Sequence, residues 1–208
     1  KYLLITEIVM DYNLVIIYLS IYLIGSIPFA FIITKISGLG DIRKIGSGNI
    51  GATNVLRTGN KTLAFVVLSL DILKGFLPLI ILKNYFLVTS SEITIYLIAS
   101  LTILGHLFPI WLNFKGGKGV ATYIGYLFAI NYLLGLIFIF SWIIIARIKK
   151  YSSLASILSL IILPFAAMLL SYENIIILLF FLIGIIIISK HYSNILRLLN
   201  KTESKIKF

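Results

Sequence analysis

Long apolar runs alternate with short polar segments along most of the 208-residue chain. The runs at 13–35, 62–82, 93–112, 152–170 and 175–189 approach the roughly 20 residues that an α-helix needs to cross a bilayer. No long polar stretch is left over for a separate soluble unit. The pattern therefore predicts an all-α polytopic membrane protein, a single domain over residues 1–208, with short glycine-rich cytoplasmic loops and half-helices.

The apolar run at 120–146 fits two arrangements. One long tilted helix would carry the basic cluster at 147–150 to the outer face, against the positive-inside rule. A tight hairpin around Asn131 keeps that cluster inside and leaves a short span at 119–130. We prefer the hairpin, which brings the predicted number of crossings to seven.

The charged residues predict the orientation of these spans. Only 12% of the residues are charged, against about 25% in a typical soluble domain, and the net charge is +11. Fifteen of the eighteen Lys and Arg residues lie in four segments, at 35–61, 113–118, 147–151 and 190–208. The loop at 84–91 has none. The rule places the four segments in the cytoplasm, with the N-terminus outside and the C-terminus inside. Since the basic residues lie beside apolar spans, span orientation explains the charge better than nucleic-acid binding.

The most polar of the inter-span segments is glycine-rich and lies at 46–57. Its three glycines match the G-x-G-x-x-G spacing of dinucleotide-binding loops, but that motif needs a preceding strand, and the flanks here are apolar spans. No Lys-Ser or Lys-Thr pair follows, so the NTPase phosphate loop is excluded as well. Glycines do let successive backbone N–H groups turn toward an anion. The stretch therefore predicts an anion site, built from Gly46, Ser47, Gly48, Asn49, Gly51, Thr53, Asn54 and Arg57, with a short helix over 52–57.

Two further segments carry similar chemistry. In the first, Lys115 and Lys118 flank Gly116 and Gly117, where backbone can approach a phosphate closely; attraction to anionic lipid headgroups is the alternative. In the second, His191, Asn194 and Arg197 fall on nearly one face of a helix that leaves the last span, and interfacial anchoring is the alternative. All three segments lie on the predicted cytoplasmic face, where we expect one shared site.

Three ionisable residues lie inside or at the end of apolar spans. Asp71 and Lys74 share one helical face because they are three residues apart. Ionisable groups inside a membrane are costly and usually paired, so the two form a structural ion pair or take a catalytic role. His106, close to Pro109, is either structural or a general base.

Taken together and in order, these motifs identify a family resemblance. The chain resembles the bacterial membrane acyltransferases that use acyl phosphate to acylate glycerol 3-phosphate, over about residues 20–200. The residues that carry it are Gly25-Ser26-Ile27-Pro28, the segment 46–54, Asp71-x-x-Lys74-Gly75, Gly105-His106, the segment 115–122 and His191-x-x-Asn194-Ile195-x-Arg197.

The resemblance implies transfer of an acyl group to the 1-position of sn-glycerol 3-phosphate, giving lysophosphatidic acid and phosphate. It implies that Ser47, Arg57 and Lys118 form the polar core of the site. The backbone of 46–51 and 116–117 would help to hold phosphates, and Asn54, His191 and Asn194 would line the glycerol phosphate pocket. We also count Asn49, His106 and Lys115 among the substrate-binding residues.

Acyl phosphate is already activated, so this chemistry requires no cofactor, metal or acyl-enzyme. The expected partners are the two substrates, the lipid bilayer of a bacterial cytoplasmic membrane, and functionally the enzyme that makes acyl phosphate; no nucleic acid is expected. The main alternative is a membrane transporter or channel for phosphate-like anions, which would share the basic cluster and the half-helices. Such a protein should show an inverted repeat, and the C-terminal half has no second glycine-asparagine motif.

Overall fold

The computed structural model describes the backbone of residues 2–86 and 90–206, and the side chains of residues 14–85 and 90–206. Residues 87–89 of the loop predicted at 84–91 lie outside this range. The described residues form helices joined by loops and contain no strand. In chain order the helices are α1 (Tyr2–Ser26), α2 (Phe29–Ile36), α3 (Ala52–Leu56), α4 (Lys61–Phe86), α5 (Glu92–Leu107), α6 (Val120–Ile130), α7 (Tyr132–Lys149), α8 (Ser152–Leu169), α9 (Asn174–Ser189) and α10 (Tyr192–Leu199). The all-α membrane fold predicted from the sequence is confirmed.

Four of the described helices, α4, α5, α7 and α8, are long and apolar enough to cross a membrane. Two further spans result if the bent pairs α1 with α2 and α9 with α10 each count as one. The seventh predicted crossing would have to be α6, whose 11 residues extend only about 16 Å, roughly half of a hydrocarbon core. The count of seven therefore stays a prediction.

The first span is bent, which the sequence analysis did not predict. A continuous crossing was expected over 13–35, but α1 and α2 meet at 46°. The break lies at Ile27 and Pro28. Proline has no N–H to continue the helical ladder and disfavours helical geometry in the residue before it.

The predicted hairpin around Asn131 is confirmed. Asn131 is extended, with φ −158° and ψ 128°, and its side chain accepts a hydrogen bond from the Leu133 N–H at 2.9 Å. The rings of Tyr123 and Phe138, at similar distances before and after the break, lie edge to face with centroids 5.9 Å apart. The chain therefore turns back on itself, so α6 and α7 run side by side.

Helices α4 and α6 cross at very short range. A side chain at Gly75 of α4 would collide with the carbonyl oxygen of Thr122, and one at Gly125 of α6 would collide with that of Ile72. Only glycine permits so close a backbone approach. The contact fixes the first turn of α6, and the loop before it, against the middle of α4.

The glycine-rich segment near residue 50 has a small apolar core of its own. Ile42, Ile50 and Val55 are buried against Val67 of α4 and Ala30 of α2. The short helix predicted over 52–57 is present as α3. This packing holds the polar residues of the segment over the N-terminal part of α4, next to the start of α6.

Candidate active site

A cavity of about 530 Å³ lies between α4, α6, α7 and α8. One part of its lining is apolar, from Leu56, Phe65, Leu68, Ile72, Val120, Ile124, Ile139, Trp142 and Ile143. The other is polar and contains nine of the fourteen residues predicted for the site: Ser47, Asn49, Gly51, Asn54, Arg57, His106, Lys118, His191 and Asn194. The three polar segments, far apart in the chain, thus meet around one cavity.

Asn54 holds the first glycine-rich segment in shape. Its amide nitrogen donates to the carbonyl oxygens of Ile42, Ile45 and Asn49 at 2.9–3.1 Å, and its oxygen accepts the N–H of Ser47 at 2.9 Å. An amide side chain has two N–H donors and one carbonyl acceptor. Although Asn54 lines the cavity, its amide nitrogen and its amide oxygen both bond to the backbone of the loop. This geometry suits a residue that positions Ser47 better than one that contacts the substrate, the role that was predicted.

Lys118 connects the glycine-rich loop at 115–119 to α10. Its ammonium donates a hydrogen bond to Oδ1 of Asn194, and Nδ2 of Asn194 donates to Glu203 at 2.7 Å. Burial lowers the pKa of Lys118 to about 8; nearby Glu203 opposes this, while Arg197 and Arg57 add to it. At neutral pH Lys118 remains a cation, held in a partly desolvated position.

Glu203 is the residue that the sequence analysis missed. Its side chain is 5% exposed and accepts hydrogen bonds at 2.7 Å from Ser153, Asn194 and Arg197. Burial raises the pKa of Glu203, but these three donors outweigh it and hold the pKa below its ordinary value. One signal was available: Glu203 is one of only seven acidic residues and stands in a strongly basic C-terminal segment.

The C-terminal segment also reaches Arg57. The guanidinium of Arg57 donates to the hydroxyl of Ser204 at 2.5 Å, and the N–H of Ile206 donates to the carbonyl oxygen of Lys150 at 2.7 Å. Between this segment and the first glycine-rich segment lies a second, more polar cavity of about 710 Å³, whose lining includes Gly46, Ser47, Arg57 and Arg197. Ser47 and Arg57 line both cavities.

His191 lies between α9 and α10, and its side chain is buried. Its Nδ1 lies 2.9 Å from the carbonyl oxygen of Ile187; since a carbonyl can only accept, Nδ1 carries the proton. Burial lowers the pKa of His191 to about 4, the bond to Ile187 opposes this and the charge of Lys118 adds to it. The neutral ring keeps Nε2 as an acceptor.

Four of the predicted site residues lie outside both cavities. The N–H groups of Gly116 and Gly117 donate to the carbonyl oxygens of Leu107 and His106, at 3.3 and 3.1 Å. These two amides were predicted to hold a phosphate, but they bind within the protein instead. The Gly48 N–H likewise donates to Ile45 at 3.0 Å. Lys115 is exposed and does not line either cavity.

The two parts of the larger cavity suit an amphiphile with an anionic head. Lys118 and Arg57 supply positive charge next to neutral donors and acceptors, and the apolar part can exclude water from a hydrocarbon chain. Lys118 is partly buried, so its charge interacts more strongly with an anion than it would in water. Among the described residues, no group of three or more His, Asp or Glu is placed to hold a metal ion.

Comparison with known proteins gives a consistent result. Residues 15–201 match the family model described as glycerol-3-phosphate acyltransferase. Two relatives that carry the same description are 52% identical, in Pelagibacter ubique, and 49% identical, in Mesorhizobium japonicum. The first alignment covers 91% of this chain and 95% of the relative, and the second covers 95% and 98%.

Solved structures agree with the sequence relatives. The chain is similar to PlsY (YgiH), an integral membrane glycerol 3-phosphate acyltransferase, in its glycerol 3-phosphate form, with a TM-score of 0.86 and 37% identity. The lysophosphatidic acid form of that protein gives a TM-score of 0.84 and 36% identity. Each comparison covers 93% of this chain and 95% of the other.

Proposed function

The chain belongs to the glycerol-3-phosphate acyltransferase family, and from this premise we propose that it transfers an acyl group from acyl phosphate to the 1-hydroxyl of sn-glycerol 3-phosphate. The products are lysophosphatidic acid and inorganic phosphate. The glycerol 3-phosphate and lysophosphatidic acid forms of the similar PlsY structures support the acceptor and the product. The transporter alternative has no comparable support.

The observation that carries the proposal is the two-part cavity. An acyl phosphate has a hydrocarbon chain and a phosphate, which match the apolar part and the cationic part in turn. The second cavity, bordered by Arg57 and Arg197, offers a polar route for glycerol 3-phosphate, which is water-soluble. Because Ser47 and Arg57 line both cavities, two phosphate groups can meet at these residues.

The side chains take the following roles in this proposal. Arg57 and Lys118 neutralise the phosphates and orient them, and Ser47 is a phosphate ligand. Asn194 and the neutral His191 hydrogen-bond the glycerol hydroxyls, while Asn54 and Glu203 hold these groups in place. Positioning and charge stabilisation of this kind supply much of the rate enhancement in many enzymes.

Transfer is direct, with no acyl-enzyme. The 1-hydroxyl oxygen forms a bond to the acyl carbon, the bond from that carbon to the phosphate oxygen breaks, and the electron pair leaves with the phosphate. The phosphate takes the hydroxyl proton, since its second pKa lies at about 6–7, by analogy with about 6 for phosphoserine. No metal, coenzyme A or covalent nucleophile is required.

We further propose the membrane placement predicted from the sequence: a bacterial cytoplasmic membrane, the N-terminus outside, and the C-terminus and the site facing the cytoplasm. The protein would then receive acyl phosphate from the cytoplasmic enzyme that makes it. Because the chain has no cysteine, a single introduced cysteine can show on which side of the membrane its position lies. Lys115→Cys and Asn200→Cys should react with an impermeant thiol reagent from the cytoplasm, and Ser90→Cys from outside. Labelling of Lys115→Cys from outside would contradict the proposal.

The donor is tested with purified protein in lipid nanodiscs. With acyl phosphate and glycerol 3-phosphate we expect lysophosphatidic acid and phosphate in equal amounts, and with acyl-CoA as the sole donor almost no product. Comparable turnover of acyl-CoA would refute the donor. Uptake of phosphate into liposomes without acyl transfer would favour the transporter alternative.

A further inference from the structure

Three buried ionisable residues play no part in this mechanism. Asp71, Lys74 and His106 are only 2%, 4% and 8% exposed. The Lys74 ammonium lies 2.8 Å from Oδ1 of Asp71, and Nδ1 of His106 lies 3.6 Å from the same oxygen. Charges inside a membrane protein are expensive even when paired, and a buried ion pair is weak evidence of stability alone.

The network is attached to the loop that carries Lys118. The carbonyl oxygen of His106 accepts the Gly117 N–H at 3.1 Å. A side chain at Gly117 would collide with Nε2 of His106 and with the carbonyl oxygen of Ile50, so the imidazole lies directly against this glycine. The residue after it is Lys118. The imidazole is thus wedged between Asp71 and the backbone next to Lys118.

The other end of the network reaches the bend between α1 and α2. The Lys74 ammonium donates to the carbonyl oxygen of Ile27 at 2.8 Å and lies 5.3 Å from the ring centre of Phe29. Ile27 directly precedes Pro28, whose ring leaves backbone carbonyls at the break without a helical partner. Lys74 therefore joins the bend to α4, and Asp71 joins α4 to His106 at the end of α5, which in turn holds the loop at Gly117.

Asp71 and His106 also line the boundary between two spaces. Both border the larger cavity, and both border a small internal cavity with Lys74, Gly116 and Gly117. A shift of either side chain would be transmitted to the loop and to the cationic part of the larger cavity.

We propose that Asp71 and His106 are positioning residues, which act through Gly117 to fix the ammonium of Lys118 where it meets substrate. This inference rests on the proposed function, because Lys118 matters only if it binds a reacting phosphate. It assigns His106 no proton transfer: Nδ1 faces Asp71 and Nε2 packs on Gly117. Misplacement of a catalytic group by about 1 Å can cost on the order of 10²-fold in rate.

A double-mutant cycle tests the coupling. His106→Ala should lower kcat roughly ten- to hundredfold in the wild-type background, as expected for a misplaced charge. In a Lys118→Ala background the same substitution should change the residual kcat by no more than about twofold, because coupled residues are not additive. Equal losses in the two backgrounds would overturn the proposal and would favour an independent role, such as general base.

Matched variants separate positioning from folding. Thr102→Val removes the hydroxyl of a buried residue one turn earlier in α5. That hydroxyl donates to the carbonyl oxygen of Ala99 in the same helix, so the substitution should leave kcat unchanged. His106→Gln, which keeps a neutral polar side chain beside Asp71, should recover much of the loss. If His106→Ala does not elute as a folded species on size exclusion, Asp71→Asn takes its place in the cycle. No recovery with His106→Gln would count against the proposal.

A measurement without turnover keeps this inference distinct from the proposed function. In the cysteine-free chain, Lys118→Cys provides a single thiol whose labelling rate reports how firmly the loop is held. Adding His106→Ala should raise that rate several-fold, while adding Thr102→Val should not. An unchanged rate would refute the positioning role even if acyl transfer is confirmed; a raised rate would support it even if the donor proposal fails.

Discussion

The ammonium of Lys118 donates a hydrogen bond to the side-chain oxygen of Asn194, a residue 76 positions later in the chain. Through Asn194 the contact continues to Glu203, and so it joins the loop before α6 to α10 and the C-terminal segment. Both Lys118 and Asn194 line the larger cavity, which makes Lys118 the natural first target for mutation.

Replacing Lys118 by Ala should reduce kcat about 10²–10³-fold, the usual loss when one preorganised donor to developing charge is removed. Lys115→Ala is the matched control: it is a lysine of the same loop, but exposed and outside both cavities. It should behave as an ordinary surface substitution, with a change of no more than about twofold. Steady-state rates of acyl transfer compare the two, and similar losses would show that the loop acts only through its general positive charge.

The pH dependence of activity should also reveal Lys118. Since burial lowers its pKa to about 8, the ammonium loses its proton as the pH rises through 8, and kcat/KM, which reports the free enzyme, should fall there. Arginine stays charged far above this pH, so Lys118→Arg should lack this alkaline decline, although its maximum will be lower. A decline near pH 8 that persists in Lys118→Arg would assign it to another group.

Glu203→Gln should lower thermal stability, because it removes the charge from three hydrogen bonds. Bonds to a charged group contribute about 1.5–3 kcal/mol each, so a loss on the order of 2–3 kcal/mol is expected. The partners hold the pKa of Glu203 below 4.5; its contribution is therefore present above about pH 4.5 and lost as the pH falls further. The Tm difference from wild type should narrow in acid. Glu173→Gln, at an exposed glutamate, is the control, and an equal Tm loss there would contradict the assignment.

How far the sequence predicted the fold depends on the range of the interaction involved. The short helix at 52–57 follows from the local pattern of residues, and the hairpin at Asn131 follows from the position of the basic cluster at 147–150; both are present. The 46° bend at Pro28 was missed, because a continuous apolar run conceals a helix break. Local patterns thus predict well that a segment is helical, but they predict poorly where the helix is interrupted.

The site shows the same limit. Residue types drew attention to the three polar segments, and the family resemblance singled out Ser47, Arg57 and Lys118, which do meet around one cavity. They could not show that the Gly116 and Gly117 amides are satisfied by α5, since hydrogen-bond partners depend on packing. Nor did an anion site predict a buried acid: Glu203 lines both cavities and accepts hydrogen bonds from Asn194 and Arg197, which orients these two side chains.

Trp142 should influence which acyl chains are accepted. Its indole N–H donates to the Ser156 hydroxyl at 3.0 Å, which fixes the ring beside the apolar part of the cavity. Trp142→Ala should shift the preference toward longer or bulkier chains, by a few-fold per methylene since each buried CH₂ is worth about 0.8 kcal/mol. Trp111→Ala, at the chain's other tryptophan, 60% exposed, should leave the preference unchanged. Competition between acyl phosphates of different length measures both, and unchanged preference in Trp142→Ala would place the chain elsewhere.

Direct transfer requires acyl phosphate and glycerol 3-phosphate to be bound together, which we propose happens at Ser47, Arg57 and Lys118. Initial rates of lysophosphatidic acid formation, with the concentrations of both substrates varied, test it most directly. Direct transfer should give double-reciprocal lines that intersect, as for a complex containing both substrates. Parallel lines, the ping-pong pattern of a covalent acyl-enzyme, would contradict it.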